Sequence, residues 1–174
     1  GKDTLTFTAT TNDASSGLPT STATASTSVT INVNPVAETP SLTAPDAPVS
    51  VNENAPATLL NSLGVLSVSL PAADQDDTIT VKLSVVDGKL TLGNTGELNL
   101  TNVSGSGGTT LTFTGTQADV DAALALVSYQ PNSEFEGKDT LTFTATTNDA
   151  SSGLPTSTAT ASTSVTINVN PVAE

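Results

Sequence analysis

The acidic residues of this chain are not scattered evenly, and three short segments carry those that could bind a metal ion. The segment "DQDDT" places Asp74, Asp76 and Asp77 within four residues. "VNENAP" sets Glu53 between two asparagines, and "TTNDASSG" carries Asp149 directly after an asparagine. Crowded carboxylates without a nearby Lys or Arg repel one another unless a cation neutralises them. Calcium is a hard ion that takes roughly six to eight oxygen ligands, so these segments predict calcium binding.

Turn formation is the alternative explanation for these residues, since Asp and Asn favour turns through local hydrogen bonds. For an isolated Asp the turn is the better explanation. A turn does not require three acids together, which is why we predict calcium for the "DQDDT" cluster and Glu53. The chain contains neither an EF-hand loop nor the nonapeptide calcium repeat.

Composition removes several other kinds of chemistry. The formal net charge is −13, and there is no histidine, cysteine, methionine or tryptophan. Ser-His-Asp triads, cysteine nucleophiles and zinc or copper sites with His or Cys ligands are therefore excluded. An acidic surface repels nucleic acid and anionic membranes, and no apolar run approaches the length of a membrane span. We expect no nucleic-acid partner, no membrane insertion and no enzymatic activity.

The chain repeats itself letter for letter. Residues 1–38 and 137–174 are identical, with an offset of 137 − 1 = 136 residues. A period this long suits an independently folding domain. We therefore predict an excerpt from a tandem array, in which 39–174 is one complete repeat and 1–38 holds the last strands of the preceding repeat with its linker. Since two strands alone would expose an apolar face, we expect 1–38 to pair with another chain or to dock on the complete unit.

Alternation of apolar and hydroxyl residues predicts half-buried strands along most of the chain. The alternating segments are "TLTFTAT", "STSVTINVN", "TITVKLSV", "KLTL", "ELNL" and "TLTFTG". "VVDGKL" predicts an Asp-Gly hairpin. One helix is predicted over "TQADVDAALALVSY", with Thr116 as its N-cap and Asp119 three residues later. The pattern indicates an all-β Greek-key sandwich of the immunoglobulin-like style, with one short helical crossover. All five aromatic residues are expected in its core: Phe7, Phe113, Tyr129, Phe135 and Phe143.

The order of segments "VNENAP", "DQDDT", "FEGKDTLTFTATTND" and "VTINVNPVAETP" resembles the cadherin-like repeats of bacterial RTX-type surface adhesins. "GTQADVDAALALVSYQPNSEFEGKDTLTFTA" is the most specific part of the resemblance, which covers the complete unit and the partial one. It implies type I secretion, an extracellular position on the bacterial surface, a role in biofilms, and Ca²⁺ at the joints between neighbouring identical repeats.

The cadherin pattern also implies a ligand set. One joint would take Asp3 from the upper partner, Asn34 and Glu38 from the linker, and acids from the top of the next domain. Those acids are Asp74, Asp76 and Asp149, with Asp77 in the same cluster. The following joint would use Glu53, Asp139, Asn170 and Glu174. The linker lacks the Asp-x-Asn-Asp-Asn string of animal cadherins, and "EGKD" replaces the usual Asp-x-Glu.

The leading functional prediction is a non-catalytic spacer that calcium stiffens into a rod. A calcium-dependent lectin-like module or a self-associating adhesion module is the alternative. Sugar-binding surfaces favour exposed aromatic rings, and here the aromatics are predicted to be core. Catalysis by a carboxylate pair, as in glycoside hydrolases, is disfavoured because a sandwich of this size without tryptophan offers little substrate cleft.

Overall fold

The structure is a computed structural model that describes residues 1–173, without the side chain of Ala73. The chain divides into two compact units. The first contains Gly1–Pro35 and Ser151–Pro155, and the second contains Val36–Ala150 and the chain from Thr156 onward. The predicted boundary between 38 and 39 concerns the repeat rather than this division, and it stays a prediction.

The first unit is built on a long β-hairpin. Strand β1 (Lys2–Asp13) pairs antiparallel with β2 (Ser21–Asn32), in a ladder that runs from Lys2↔Asn32 to Asp13↔Ser21. Every residue of both strands is exposed. Both partners predicted for residues 1–38, another chain or the complete unit, stay predictions.

The second unit contains a six-stranded sheet in the order β4-β13-β12-β7-β10-β9. Its strands are β4 (Val49–Asn52), β7 (Thr78–Ser84), β9 (Thr101–Ser104), β10 (Thr110–Gly115), β12 (Gly137–Asp149) and β13 (Ser157–Asn170). All pairings are antiparallel except that of β4 with β13, which is parallel. The order departs from chain order, as strands that cross between two layers require.

Two smaller sheets and two helices form the opposite layer of this unit. The small sheets have the orders β5-β11-β8 and β3-β6. The elements are β3 (Ser41–Thr43), β5 (Thr58–Leu59), α1 (Leu60–Leu63), β6 (Ser67–Ser69), β8 (Gly88–Leu92), α2 (Gln117–Leu124) and β11 (Val127–Pro131), with a 3-10 helix at Ala72–Asp74. The predicted all-β sandwich with a short helix is confirmed.

Strict alternation places the apolar residues of β7 and β12 on one face, which is the core. Ile79, Val81 and Leu83 of β7 are fully buried, as are Phe143 and Ala145 of β12. Burial of side chains this large supplies the main driving force for folding. The opposite face of the same strands carries Thr, Ser and Lys.

The predicted helix forms as α2. The Thr116 hydroxyl accepts from the Asp119 amide at 3.3 Å and donates to Asp119 Oδ2 at 2.8 Å. Val120 and Leu124 face the core. Side chains of α2 also bind β6, since Asp121 Oδ1 accepts from the Val68 amide at 2.8 Å. The predicted short helix is therefore present and packs against the core of the sandwich.

Two local predictions were wrong. Asp87 and Gly88 do not form a hairpin, because β7 and β8 belong to different sheets and this segment connects them. Gly88 lies against the Tyr129 ring, where an added Cβ would be 2.2 Å from a ring carbon. "ELNL" is not a strand either: Leu98 and Leu100 pack against the core from a loop, and the strand begins at Thr101.

The aromatic residues are divided between core and surface. Phe113, Tyr129 and Phe143 are fully buried, and Phe135 packs against the core from a half-buried position. Phe7 is 67 % exposed, so its predicted core position is not seen in this chain.

Among the described residues, no helix is long and apolar enough to cross a membrane.

Candidate metal centre

Acidic residues from three parts of the second unit meet at one end of the six-stranded sheet. The 3-10 helix ends at Asp74, Asp77 precedes β7, and Asp149 ends β12. These residues meet because β7 and β12 pair up to Thr78↔Asn148, one step short of the two carboxylates. We call Glu38, Asp74, Asp76, Asp77 and Asp149 the acidic end of the unit.

Asp77 is the buried member of the acidic end. It is only 7 % exposed, and its Oδ2 atom has no hydrogen-bond partner. Burial, followed by the charges of Asp149, Asp74, Asp76 and Glu38, raises the pKa of Asp77 from 3.8 to about 6. A buried carboxylate without a donor is costly, because it has lost its water without a replacement. This oxygen is therefore available to a cation.

A second buried oxygen lies close to Asp77 in the ladder. Thr147 is fully buried, and its Oγ1 atom also has no hydrogen-bond partner. Thr147 pairs with Ile79, and Asp77 lies two residues from Ile79 on the same face of the sheet. The sequence predicted the acids but not this hydroxyl. The sequence feature that could have identified this hydroxyl is its place in the alternation of β12. Every second residue of this strand faces the core, and Thr147 occupies such an inward position after a series of apolar residues.

The linker is bound directly to the acidic end. The Val36 amide donates to Asp149 Oδ2 at 3.0 Å, and the Ala37 amide donates to Ser157 Oγ at 3.0 Å. These two contacts, which we call the linker clasp, hold the chain just before Glu38. The linker, the end of β12 and the start of β13 therefore meet at one place.

Glu53 lies at the other end of the same sheet. Its amide donates to Asn170 O at 2.8 Å, and one of its carboxylate oxygens accepts from the Val172 amide in a short hydrogen bond. Strand β13 separates this position from Ser157, so Glu53 and the acidic end are roughly 40 Å apart. Within one unit, Glu53 cannot share a metal ion with the acidic end, and its assignment to the following joint stays a prediction.

Asp139 has a buried position inside the sandwich. It is 1 % exposed, its Oδ2 accepts from the Tyr129 hydroxyl at 2.9 Å, and its Oδ1 accepts from the Val86 and Thr140 amides at 2.9 and 2.7 Å. Burial and the bond to Asp139 raise the pKa of Tyr129. These contacts give Asp139 a structural role, which differs from the metal-binding role predicted from the sequence.

The remaining predicted ligands belong to the first unit or lie outside the described residues. Asp3 is exposed on β1, and its Oδ1 accepts from the Thr4 amide at 2.7 Å. Asn34 is exposed in the linker of the first unit. The prediction for Glu174 lies outside the described residues.

The pair Asp139 and Asp3 gives a matched test of the structural role. Replacing Asp139 with Asn weakens three hydrogen bonds that a carboxylate accepts, so we expect the free energy of unfolding to fall by about 1 kcal/mol. The same replacement at the exposed Asp3 should leave it unchanged. Urea unfolding of both variants of the 174-residue chain measures the difference. Equal effects at the two positions would contradict the assignment.

No known protein family, curated protein or solved structure matches this chain. Within residues 1–173, no three acidic side chains converge closely enough to hold a metal ion by themselves. The acidic end supplies one buried carboxylate oxygen that accepts no hydrogen bond, and the linker lies beside it. A complete coordination shell for calcium would need further oxygens from another element.

Proposed function

We propose that this chain is a non-catalytic extender of a bacterial surface adhesin, in which calcium at the joints between identical repeats stiffens the polypeptide into a rod. The support for calcium comes from the acidic end and from the two copies of the linker. The support for secretion and for a position on the bacterial surface comes from the resemblance to RTX-type adhesin repeats.

The strongest support for the proposal comes from the two copies of the linker. Val36 and Val172 occupy the same position in identical sequences. The Val36 amide donates to Asp149, while the Val172 amide donates to Glu53. In a continuous array one valine follows one repeat and precedes the next. Glu53 of the first repeat and Asp149 of the second are then directed at the same amide.

Two carboxylates directed at one amide repel each other unless a cation lies between them. The next repeat adds the unpartnered Asp77 Oδ2 at the same joint. Carboxylates of Glu53, Asp149 and Asp77, with backbone carbonyls of the linker, form the oxygen-rich set that Ca²⁺ prefers. This arrangement would account for the lack of a complete site within residues 1–173, because the ligands come from two successive repeats.

Calcium at this joint has a mechanical consequence. The ion binds two successive domains and the linker at once, which removes the repulsion that would otherwise spread them apart. The angle between neighbours becomes fixed, and repeated joints convert a flexible chain into a rod. Identical repeats suit this task, because a spacer needs copies whereas a receptor-binding tip needs only one.

The lectin-like alternative has less support. Within the described part of the second unit, the aromatic rings are buried or half-buried, so none forms an exposed platform for a sugar ring. A hydroxyl-rich sheet face remains, but without aromatic rings it lacks the usual means of stacking on carbohydrate.

A tandem chain tests the proposal. It consists of residues 1–174 followed by a second copy of 39–174, and so contains one joint between complete repeats. We expect calcium to raise its melting temperature and to lengthen and stiffen it in small-angle scattering. The stabilisation should reach about 2.7 kcal/mol per site at a calcium concentration one hundred times the dissociation constant.

Single substitutions locate the effect. Glu53→Gln in the first repeat or Asp77→Asn in the second should remove most of the calcium response. Glu97→Gln, at an exposed acid outside the acidic end, is the matched control and should retain it. A tandem chain whose melting temperature and scattering are the same in calcium and in chelator would overturn the proposal.

A further inference from the structure

The hairpin of β1 and β2 exposes an apolar face to water, which is energetically unfavourable. Leu5, Phe7, Val29, Ile31 and Val33 are all exposed, and Phe7 has 67 % of its surface in contact with solvent. Alternation and the register Leu5↔Val29 place them on one side of the hairpin. A contiguous patch of large apolar side chains marks an interaction site on a folded protein.

The identical hairpin of β12 and β13 shows what covers this face. Its register is the same with an offset of 136, since Leu5↔Val29 becomes Leu141↔Val165 and Phe7↔Thr27 becomes Phe143↔Thr163. Here the equivalent side chains are buried, and Phe143 is completely inaccessible. The residues that share this core come from 39–136, among them Leu60 and Leu66.

A polar contact matches as well. The Asp3 carboxylate accepts from the Thr4 amide just as Asp139 accepts from Thr140, at 2.7 Å in both copies. Asp139 accepts two more hydrogen bonds, from the Val86 amide and the Tyr129 hydroxyl. Both donors belong to 39–136. The exposed Asp3 thus carries acceptor positions that another copy of this segment would fill.

We infer that the β1–β2 hairpin binds a second copy of residues 39–136. That copy covers Leu5, Phe7, Val29, Ile31 and Val33, and donates to Asp3 from its own Tyr129 and Val86. It also adds its own β7 beside β1, as β7 pairs with β12 here. The inference goes beyond the proposed function, because it concerns the core of a repeat and does not involve calcium.

Fluorescence of a single tryptophan tests this inference, since the chain contains none. Phe7→Trp is made in the 174-residue chain and in an extended chain with a copy of 39–136 before Gly1. We expect solvent-exposed emission in the first and blue-shifted emission in the second. Phe143→Trp is the matched control and should be blue-shifted in both.

Alanine substitutions give a second measurement that does not depend on whether the larger tryptophan ring fits the core. In the extended chain, Leu5→Ala should lower the melting temperature as much as Leu141→Ala does. In the 174-residue chain only Leu141→Ala should have an effect. All measurements are repeated in calcium and in chelator with the same expected result, so failure here is distinct from failure of the calcium proposal.

Two results would overturn the inference. One is exposed emission from Phe7→Trp in the extended chain together with no effect of Leu5→Ala. The other is blue-shifted emission in the 174-residue chain that rises with protein concentration and accompanies a dimer in sedimentation. That outcome would mean that two hairpins cover each other in place of the 39–136 segment.

Discussion

Replacing Phe143 with Ala lowers the free energy of unfolding of the second unit by about 3–5 kcal/mol, which is the usual cost of removing a fully buried phenylalanine. The identical phenylalanine at position 7 is exposed, so Phe7→Ala should change that free energy by less than about 0.5 kcal/mol. Local sequence is the same around both residues. The difference between the variants therefore measures tertiary packing alone.

Urea unfolding of the 174-residue chain, followed by circular dichroism, is the appropriate measurement. Ala161→Gly, within the ladder of β13, serves as a control for general weakening of the hairpin, and it should cost only about 1 kcal/mol. Similar losses for Phe7→Ala and Phe143→Ala would show that the first hairpin is packed in solution, contrary to the structure.

Calcium-free stability should fall as the pH rises from about 4 to about 7, because of Asp77. Its folded pKa is about 6 and its ordinary value is 3.8, so the folded protein binds more protons between these values. Stability is therefore greatest below the unfolded pKa and is lost as the pH passes the folded pKa.

Asp77→Asn should recover this stability at pH 7 in chelator, since an uncharged amide is cheaper to bury and is not repelled by its neighbours. Burial also raises the pKa of Asp121, which adds a pH dependence of the same sign that both proteins share. The difference between Asp77→Asn and the unmodified chain isolates Asp77, and Asp76→Asn is the exposed control. A variant less stable than the unmodified chain at pH 7 would show that Asp77 makes a favourable contact when ionised.

The fold could be predicted largely from local pattern. Alternation identified β7, β10, β12 and β13, and the Thr116 cap identified α2, because these signals depend only on neighbours in sequence. The Asp-Gly prediction failed because strand pairing depends on distant partners. Val85 binds Thr109 rather than a residue of β8, and β8 pairs with β11.

The candidate site was predictable in part. Acid density indicated the acidic end, but density does not distinguish a buried carboxylate from an exposed one. The alternation of inward and outward residues along a strand does distinguish them. Asp77 continues the inward series of Ile79 and Val81, and Asp139 begins the inward series of Leu141 and Phe143. Their different roles depend on distant donors. Asp139 meets Tyr129 and Val86, whereas no donor within the described chain reaches Asp77 Oδ2.

Identical hairpins create a problem of folding specificity that the linker clasp resolves. Segment 39–136 has two neighbours of the same sequence, and pairing with the upstream copy would yield a circularly permuted domain. In that topology the chain would leave the hairpin after Asn34, roughly 40 Å from where Val36 and Ala37 are bound, so the clasp would be lost. Strand propensity cannot discriminate between identical competitors. The two linker hydrogen bonds can, and they therefore favour native connectivity over a misfolded permutant during synthesis.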